Sequence, residues 1–142
     1  MSSASLRHLS LTLAGENKTV NGFTLMQWRI AHFAPGEQGP YVLDLQLYMT
    51  ERTAYRFNLN SSSPRLFVRC GFTGRAPVPD AITASQDVAA AWMDGEQQVL
   101  ETPMPMALQV WIEAYLAHHG EGPDPGRKKK RKGAGRARED QP

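Results

Sequence analysis

Few side chains in this 142-residue chain are of the kinds that do chemistry, and their spacing assigns them little. The histidines are His8, His32, His118 and His119. Two metal ligands on one helical face need i,i+4 spacing, whereas the adjacent His118 and His119 diverge by about 100° around a helix axis. No HExxH or CxxC accompanies them, and histidines late in a helix suit the negative end of its dipole. Cys70 is the single cysteine, so an internal disulfide and a cysteine-only metal site are excluded. At the end of an apolar strand it reads as a small buried hydrophobe, because its neighbour Arg69 should point to the opposite face. There is no GxSxG elbow, and Ser61-Ser62-Ser63 reads as turn chemistry. Asp44, Glu51, Asp94 and Glu96 fall on strand exteriors or turns, without the pairing that acid–base catalysis needs. Gly71-Phe-Thr-Gly74 has the wording of an RNA-backbone clamp, but that clamp joins two helices, and here it follows a strand and precedes prolines. No glycine-rich phosphate loop is present. These residues predict no enzymatic activity, no metal and no cofactor.

Charge is distributed unevenly. Residues 1–120 hold 8 Lys/Arg against 10 Asp/Glu, a net of −2, and residues 121–142 hold 8 against 4, a net of +4. The alkaline isoelectric point therefore belongs to the tail. A protein that binds nucleic acid with its whole surface should spread basic charge over the fold, and this one does not. The run Arg127, Lys128, Lys129, Lys130, Arg131, Lys132 is the candidate partner-binding segment. It suits an acidic protein surface or, as the alternative, nucleic acid, in either case with salt-sensitive and unselective attraction. No apolar run approaches a membrane span and the N-terminus has no apolar targeting core, so a cytoplasmic protein without membrane contact is expected.

The elements that must position these residues are mostly strands. The spacing predicts one α+β domain over residues 1–120, followed by a disordered basic tail over 121–142 that lacks the apolar residues to order itself. Leu9, Leu11 and Leu13 alternate with polar residues, and Asn21-Gly22 signals a two-residue hairpin. The returning strand carries Met26, Trp28 and Ile30 on one face. The next strand places Leu43, Leu45, Leu47 and Met49 inward and Asp44 and Gln46 outward. Tyr55, Phe57 and Leu59 then read as a fourth strand facing the core, with Arg56, Asn58 and Asn60 facing water. Leu66, Val68 and Cys70 make a fifth, and Val99-Leu100 adds an edge. Pro77 and Pro79 mark a loop, and Ser85 caps a short helix over Gln86–Met93. These strands predict a curled antiparallel sheet or partial β-barrel of five to six strands. A C-terminal amphipathic helix, Met104–His119, should pack on it through Leu108, Trp111, Ile112, Tyr115 and Leu116.

The order of several short words adds a resemblance. Gln27-Trp-Arg with Pro35-Gly36, the segment AYRFNL ahead of Pro64 and LFV, the Pro103-Met-Pro105 helix start, the Trp111…His118-His119 helix end and the closing RKKKRK run resemble a bacterial family of unknown function, domain-of-unknown-function family 3305. Members of that family tend to be encoded beside molybdenum- or tungsten-dependent formate dehydrogenase genes. The resemblance implies a non-catalytic accessory protein for maturation or regulation of such an enzyme, with an enzyme subunit or maturation factor as partner. It supplies no catalytic residues. Some members carry a molybdopterin-guanine dinucleotide synthesis label. That activity needs a glycine-rich phosphate loop on parallel βαβ units, and hairpins stand here in their place.

Overall fold

The structure, a computed structural model, describes residues 5–73 and 76–122. The elements run β1 Leu6–Val20, β2 Phe23–Pro35, β3 Tyr41–Gln46, a 3₁₀ turn Met49–Glu51, α1 Arg52–Leu59, β4 Arg65–Thr73, β5 Ala76–Thr83, α2 Gln86–Asp94, β6 Gln98–Pro103 and α3 Met106–His119. The fold is α+β. Its strands divide between two antiparallel sheets of three, ordered β2-β1-β3 and β5-β4-β6. The expected single curled sheet or partial barrel is thus replaced by two separate ladders, with β3 lying alongside β5 and β2 alongside β6. One apolar cluster fills the space between them. Leu9, Leu11, Leu43, Leu45 and Leu47 enter it from the first sheet and its exit, and Leu66, Val68, Cys70 and Ile82 from the second. Leu108, Trp111, Ile112, Tyr115 and Leu116 of α3 belong to the same cluster.

The first hairpin turns at Asn21 (φ 51°) and Gly22 (φ 83°), the two positive values that a type I′ turn requires. The pairing slips once between Thr12 and Leu13, where Ala31 is the extra residue of a β-bulge. That slip keeps Leu9, Leu11 and Leu13 of β1 on the core side while β2 is re-aimed.

Two segments depart from the pattern reading. Residues 53–59 lie in α1, not in a strand, and the outcome reverses two assignments. Phe57, expected in the core, is 66% exposed, and Asn58, expected in water, is buried. Tyr55 remains buried and Leu59 half-buried. The alternation Tyr-Arg-Phe-Asn-Leu satisfies a period of two, but Ala54, Tyr55 and Asn58 at i, i+1 and i+4 satisfy a helical face equally well. Tertiary contacts decide between them. The Tyr55 hydroxyl accepts from Tyr48 N at 2.9 Å, and the Tyr55 ring meets Tyr115 edge-on at 6.4 Å. Burial leaves this phenol well above its ordinary pKa.

The second departure is β5, where Pro77 and Pro79 were expected to mark a loop. Proline cannot donate to a ladder, but β5 pairs with β4 alone and its other side is an edge, where proline is tolerated. Met49, also expected inward, lies exposed in the 3₁₀ turn. The Ser85 side chain caps α2 by accepting from Val88 N at 3.2 Å and donates to Glu51 at 2.6 Å.

Candidate protein-interaction surface

The residues that could do chemistry are scattered. His8 on β1 faces Asp44 on β3, with Nδ1 and Oδ1 2.6 Å apart and Glu37 3.8 Å from Nε2, at the surface. His32 is exposed on β2 opposite Thr12. His118 and His119 end α3. Their rings pack edge-on at 4.6 Å, and His119 lies 4.5 Å from the ring of Tyr115. Arg52 caps this helix end by donating to His119 O at 2.8 Å and Gly120 O at 3.1 Å. Cys70 is buried, and loss of solvation, with Asp80 adding to it, pushes the thiol up to about 11. Among the described residues no three His, Cys, Asp or Glu side chains group to hold a metal ion. Ser61 Oγ donates to Asn58 O at 2.7 Å, as a turn serine does. Gly71 lies within β4, and Gly74 lies outside the described residues. The basic run Arg127, Lys128, Lys129, Lys130, Arg131, Lys132 also lies outside them.

An ion-pair fork binds α3 to α1. Arg56 donates to both oxygens of Glu113 at 3.0 and 2.8 Å and to both oxygens of Glu121 at 3.0 and 2.9 Å. The guanidinium fork matches carboxylate geometry twice over. Hydrogen bonds from it hold both carboxyl groups below the usual glutamate range. Arg56 was expected to face water from a strand; on the helix it locks the C-terminal end of α3.

The surface feature that stands out is the far half of the β1–β2 hairpin. Beyond the pair Leu13 and Ile30, which pack on the core, the two strands run on together to Val20 and Phe23. Phe23 is 71% exposed there, and Val20, Leu25 and Met26 are exposed too. In the ladder Val20 opposes Phe23, Lys18 opposes Leu25, Asn17 opposes Met26 and Gly15 opposes Trp28. Alternation therefore puts Phe23, Val20 and Leu25 on one face and Met26 and Trp28 on the other. Gly15 makes the second face continuous. A Cβ at this position would lie 2.8 Å from Met26 Sδ and 2.9 Å from Trp28 Cζ3, so the two side chains close over bare backbone. The arm is poor in charge: Glu16 and Arg29 pair with each other at 3.5 Å, and Lys18, opposite Leu25, is its third charged residue. Contiguous exposed apolar surface of this kind marks interaction sites in folded proteins. The sequence carried a signal for it: Phe23, Leu25 and Met26 break the alternation that a half-buried strand would keep.

Two further concavities lie among the described residues. One of about 480 Å³ opens where the edges of β3 and β5 adjoin, with Val42, Tyr48, Asp80, Ile82 and Trp92 in its wall. Arg69 reaches two of these wall residues, 2.8 Å from Asp80 and 5.2 Å from the ring of Trp92. The other, about 430 Å³, is a groove between α1 and α2. None of the described helices is long and apolar enough to cross a membrane.

The family described as "Protein of unknown function (DUF3305)" matches residues 26–132, three-quarters of the chain. The chain belongs to this family. The DUF3305 match begins within β2, leaving β1, the middle strand of the first sheet, outside the matched segment. It takes in Arg56, Glu113 and Glu121, the groove between α1 and α2, and the basic run. No curated protein and no solved structure matches the chain.

Proposed function

We propose that this DUF3305 protein is a non-catalytic binding protein that docks a protein partner through its β1–β2 arm. The observation that carries the reading is the two-faced apolar arm, with Val20, Phe23 and Leu25 on one side and Met26 and Trp28 on the other. A ribbon that is apolar on both sides gains most from a partner that encloses it, at about 25 cal/mol per Å² of apolar surface removed from water. Glu16 and Arg29 pair with each other, which leaves Lys18 as the arm's one charge outside an ion pair among the described residues, too little cation for a phosphate backbone. The partner we assign is a subunit or maturation factor of a molybdenum- or tungsten-dependent formate dehydrogenase. That assignment rests on the gene association implied by the family resemblance.

The experiment is a paired test in the native host. Deleting the gene should lower formate-dependent activity while unrelated growth stays normal. The tagged protein should retain a formate dehydrogenase subunit or maturation factor, and the double variant Phe23→Ser, Met26→Ser should release it without a change in melting temperature. Full formate oxidation in the deletion strain removes the assignment to that enzyme. Retention of the partner by the double variant removes the arm. Co-purification with DNA or RNA instead would put the nucleic-acid reading in its place.

A further inference from the structure

The groove between α1 and α2 holds an arrangement that the arm does not use. Its walls are Thr53, Ala54 and Phe57 from α1 and Gln86, Asp87 and Ala90 from α2. Phe57 presents its ring to solvent, and alanines form the remaining apolar surface. Asp87 stands opposite, and Asp94, seven residues on, falls on the same face of α2. Neither takes part in an ion pair among the described residues. An aromatic face, a small-residue floor and a carboxylate outside any ion pair are the chemistry that receives a guanidinium or ammonium group.

The chain itself delivers such groups to this place. Gly122, the last described residue, is pressed against Thr53, the first residue of the groove. A Cβ at Gly122 would collide with the Thr53 hydroxyl and approach Thr53 N to 2.7 Å. Arg52 on His119 O and Gly120 O, and Arg56 on Glu121, fix the exit of the chain on the first turns of α1. Arg127 follows five residues after Gly122, a reach of about 17 Å when extended. Asp87 and Asp94 lie about 10 Å apart along α2, and three extended residues cover that distance. Arg127 at Asp87 therefore brings Lys130 to Asp94. Lys130 would then sit at the C-terminal end of α2, where the helix dipole favours a cation.

We propose that the basic run of this chain, from Arg127, occupies the α1–α2 groove of the same molecule, with a cation over Phe57 and ion pairs to Asp87 and Asp94. Docked in this way, the tail is held in reserve, and an acidic surface must compete with the groove to engage it. The inference is independent of the arm, and either can fail alone.

The test uses the full-length chain carrying a nitroxide at Ala134→Cys, with the buried Cys70 left in place, and reads backbone amide signals by NMR. At low salt the amides of Phe57, Asp87 and Ala90 should lose more than half of their intensity, while the β1–β2 arm keeps its own. Raising NaCl to about 0.5 M, where the screening length falls to about 4 Å, should restore them. In the same labelled chain, Asp87→Asn or Phe57→Ser should each restore them at low salt, the remaining spectrum being the check that both variants fold. Uniform or absent broadening overturns the proposal, as does broadening that both variants leave unchanged. Equal broadening of isotope-enriched chain that carries no nitroxide, when mixed with nitroxide-labelled chain of natural isotope abundance, assigns the groove to a second copy and likewise overturns it.

Discussion

Asn58 is the residue on which the helical state of residues 52–59 rests. Its side-chain amide pairs with the backbone of Arg65, Nδ2 donating to Arg65 O at 2.7 Å and Oδ1 accepting from Arg65 N at 3.0 Å. The second Nδ2 hydrogen goes to Ala84 O at 2.9 Å. One buried side chain thus ties α1 to the start of β4 and to the exit of β5. Asn58→Ala removes three hydrogen bonds, each contributing about 1 kcal/mol net. It also strands the Ala84 carbonyl, whose residue is almost fully buried, at a desolvation cost of about 1 kcal/mol or more. Arg65 sits nearer the rim, and its freed groups recover water. The expected loss is about 3–4 kcal/mol, read as a lower urea midpoint at unchanged m. Asn58→Asp should lose more at neutral pH, because a carboxylate would face two carbonyl oxygens. Its folded-state pKa is thereby raised, so part of that loss should return as pH falls through the raised value toward about 4, where the unfolded carboxyl takes up its proton as well. Asn60→Ala, one turn-end away and exposed, is the control and should cost under about 0.5 kcal/mol. A loss below about 1 kcal/mol for Asn58→Ala, or one equal to the control, would refute the bridge and with it the docking of α1.

Trp111→Ala should cost about 3–5 kcal/mol, since the ring lies in the shared core with Arg7 stacked 4.6 Å above it; a loss under about 0.5 kcal/mol would place the ring at the surface. The Cys70 thiol, raised to about 11, should resist a disulfide reagent at pH 8 in the folded chain and react at once in urea. Because the unfolded thiol ionises near 9, stability should decline as pH rises from about 9 to 11, and Cys70→Ala should flatten that decline. Glu113 and Glu121 should titrate below ordinary glutamates by carbon-detected NMR, and Arg56→Gln should return both to the usual range. Their contribution is present above the unfolded glutamate pKa and is lost as pH falls through the lowered folded values, so the contact between α1 and the end of α3 should loosen in acid.

The strands were legible where one face is buried and the other wet. Leu9, Leu11, Leu43 and Leu45 alternate with polar residues because the pleat itself alternates, and Asn21-Gly22 named its turn because few residue pairs accept two positive φ values. Residues 53–59 were misread because seven residues are too few for a period of two to be told from a period of 3.6. β5 was missed because proline excludes a central strand but leaves an edge open. The surface was legible only in part. Loss of alternation at Leu25 and Met26 marked the arm, whereas nothing local placed Arg56 between Glu113 and Glu121, 57 and 65 residues away.

By itself the sequence determined the class of side chain available and the local periods. These include an Asn-Gly hairpin, a leucine-faced strand pair, a serine-capped helix and a cationic run with no apolar residue to anchor it. Those properties are encoded over a few neighbouring residues, within the range of a turn or a pleat. Only the tertiary structure decided that the strands split into two sheets, that Phe57 turns outward while Asn58 turns in, and that the first hairpin outruns the body it belongs to. Each of these depends on which distant surface is left to cover an apolar face or satisfy a buried amide. Such long-range partners carry no signature in the residues beside them.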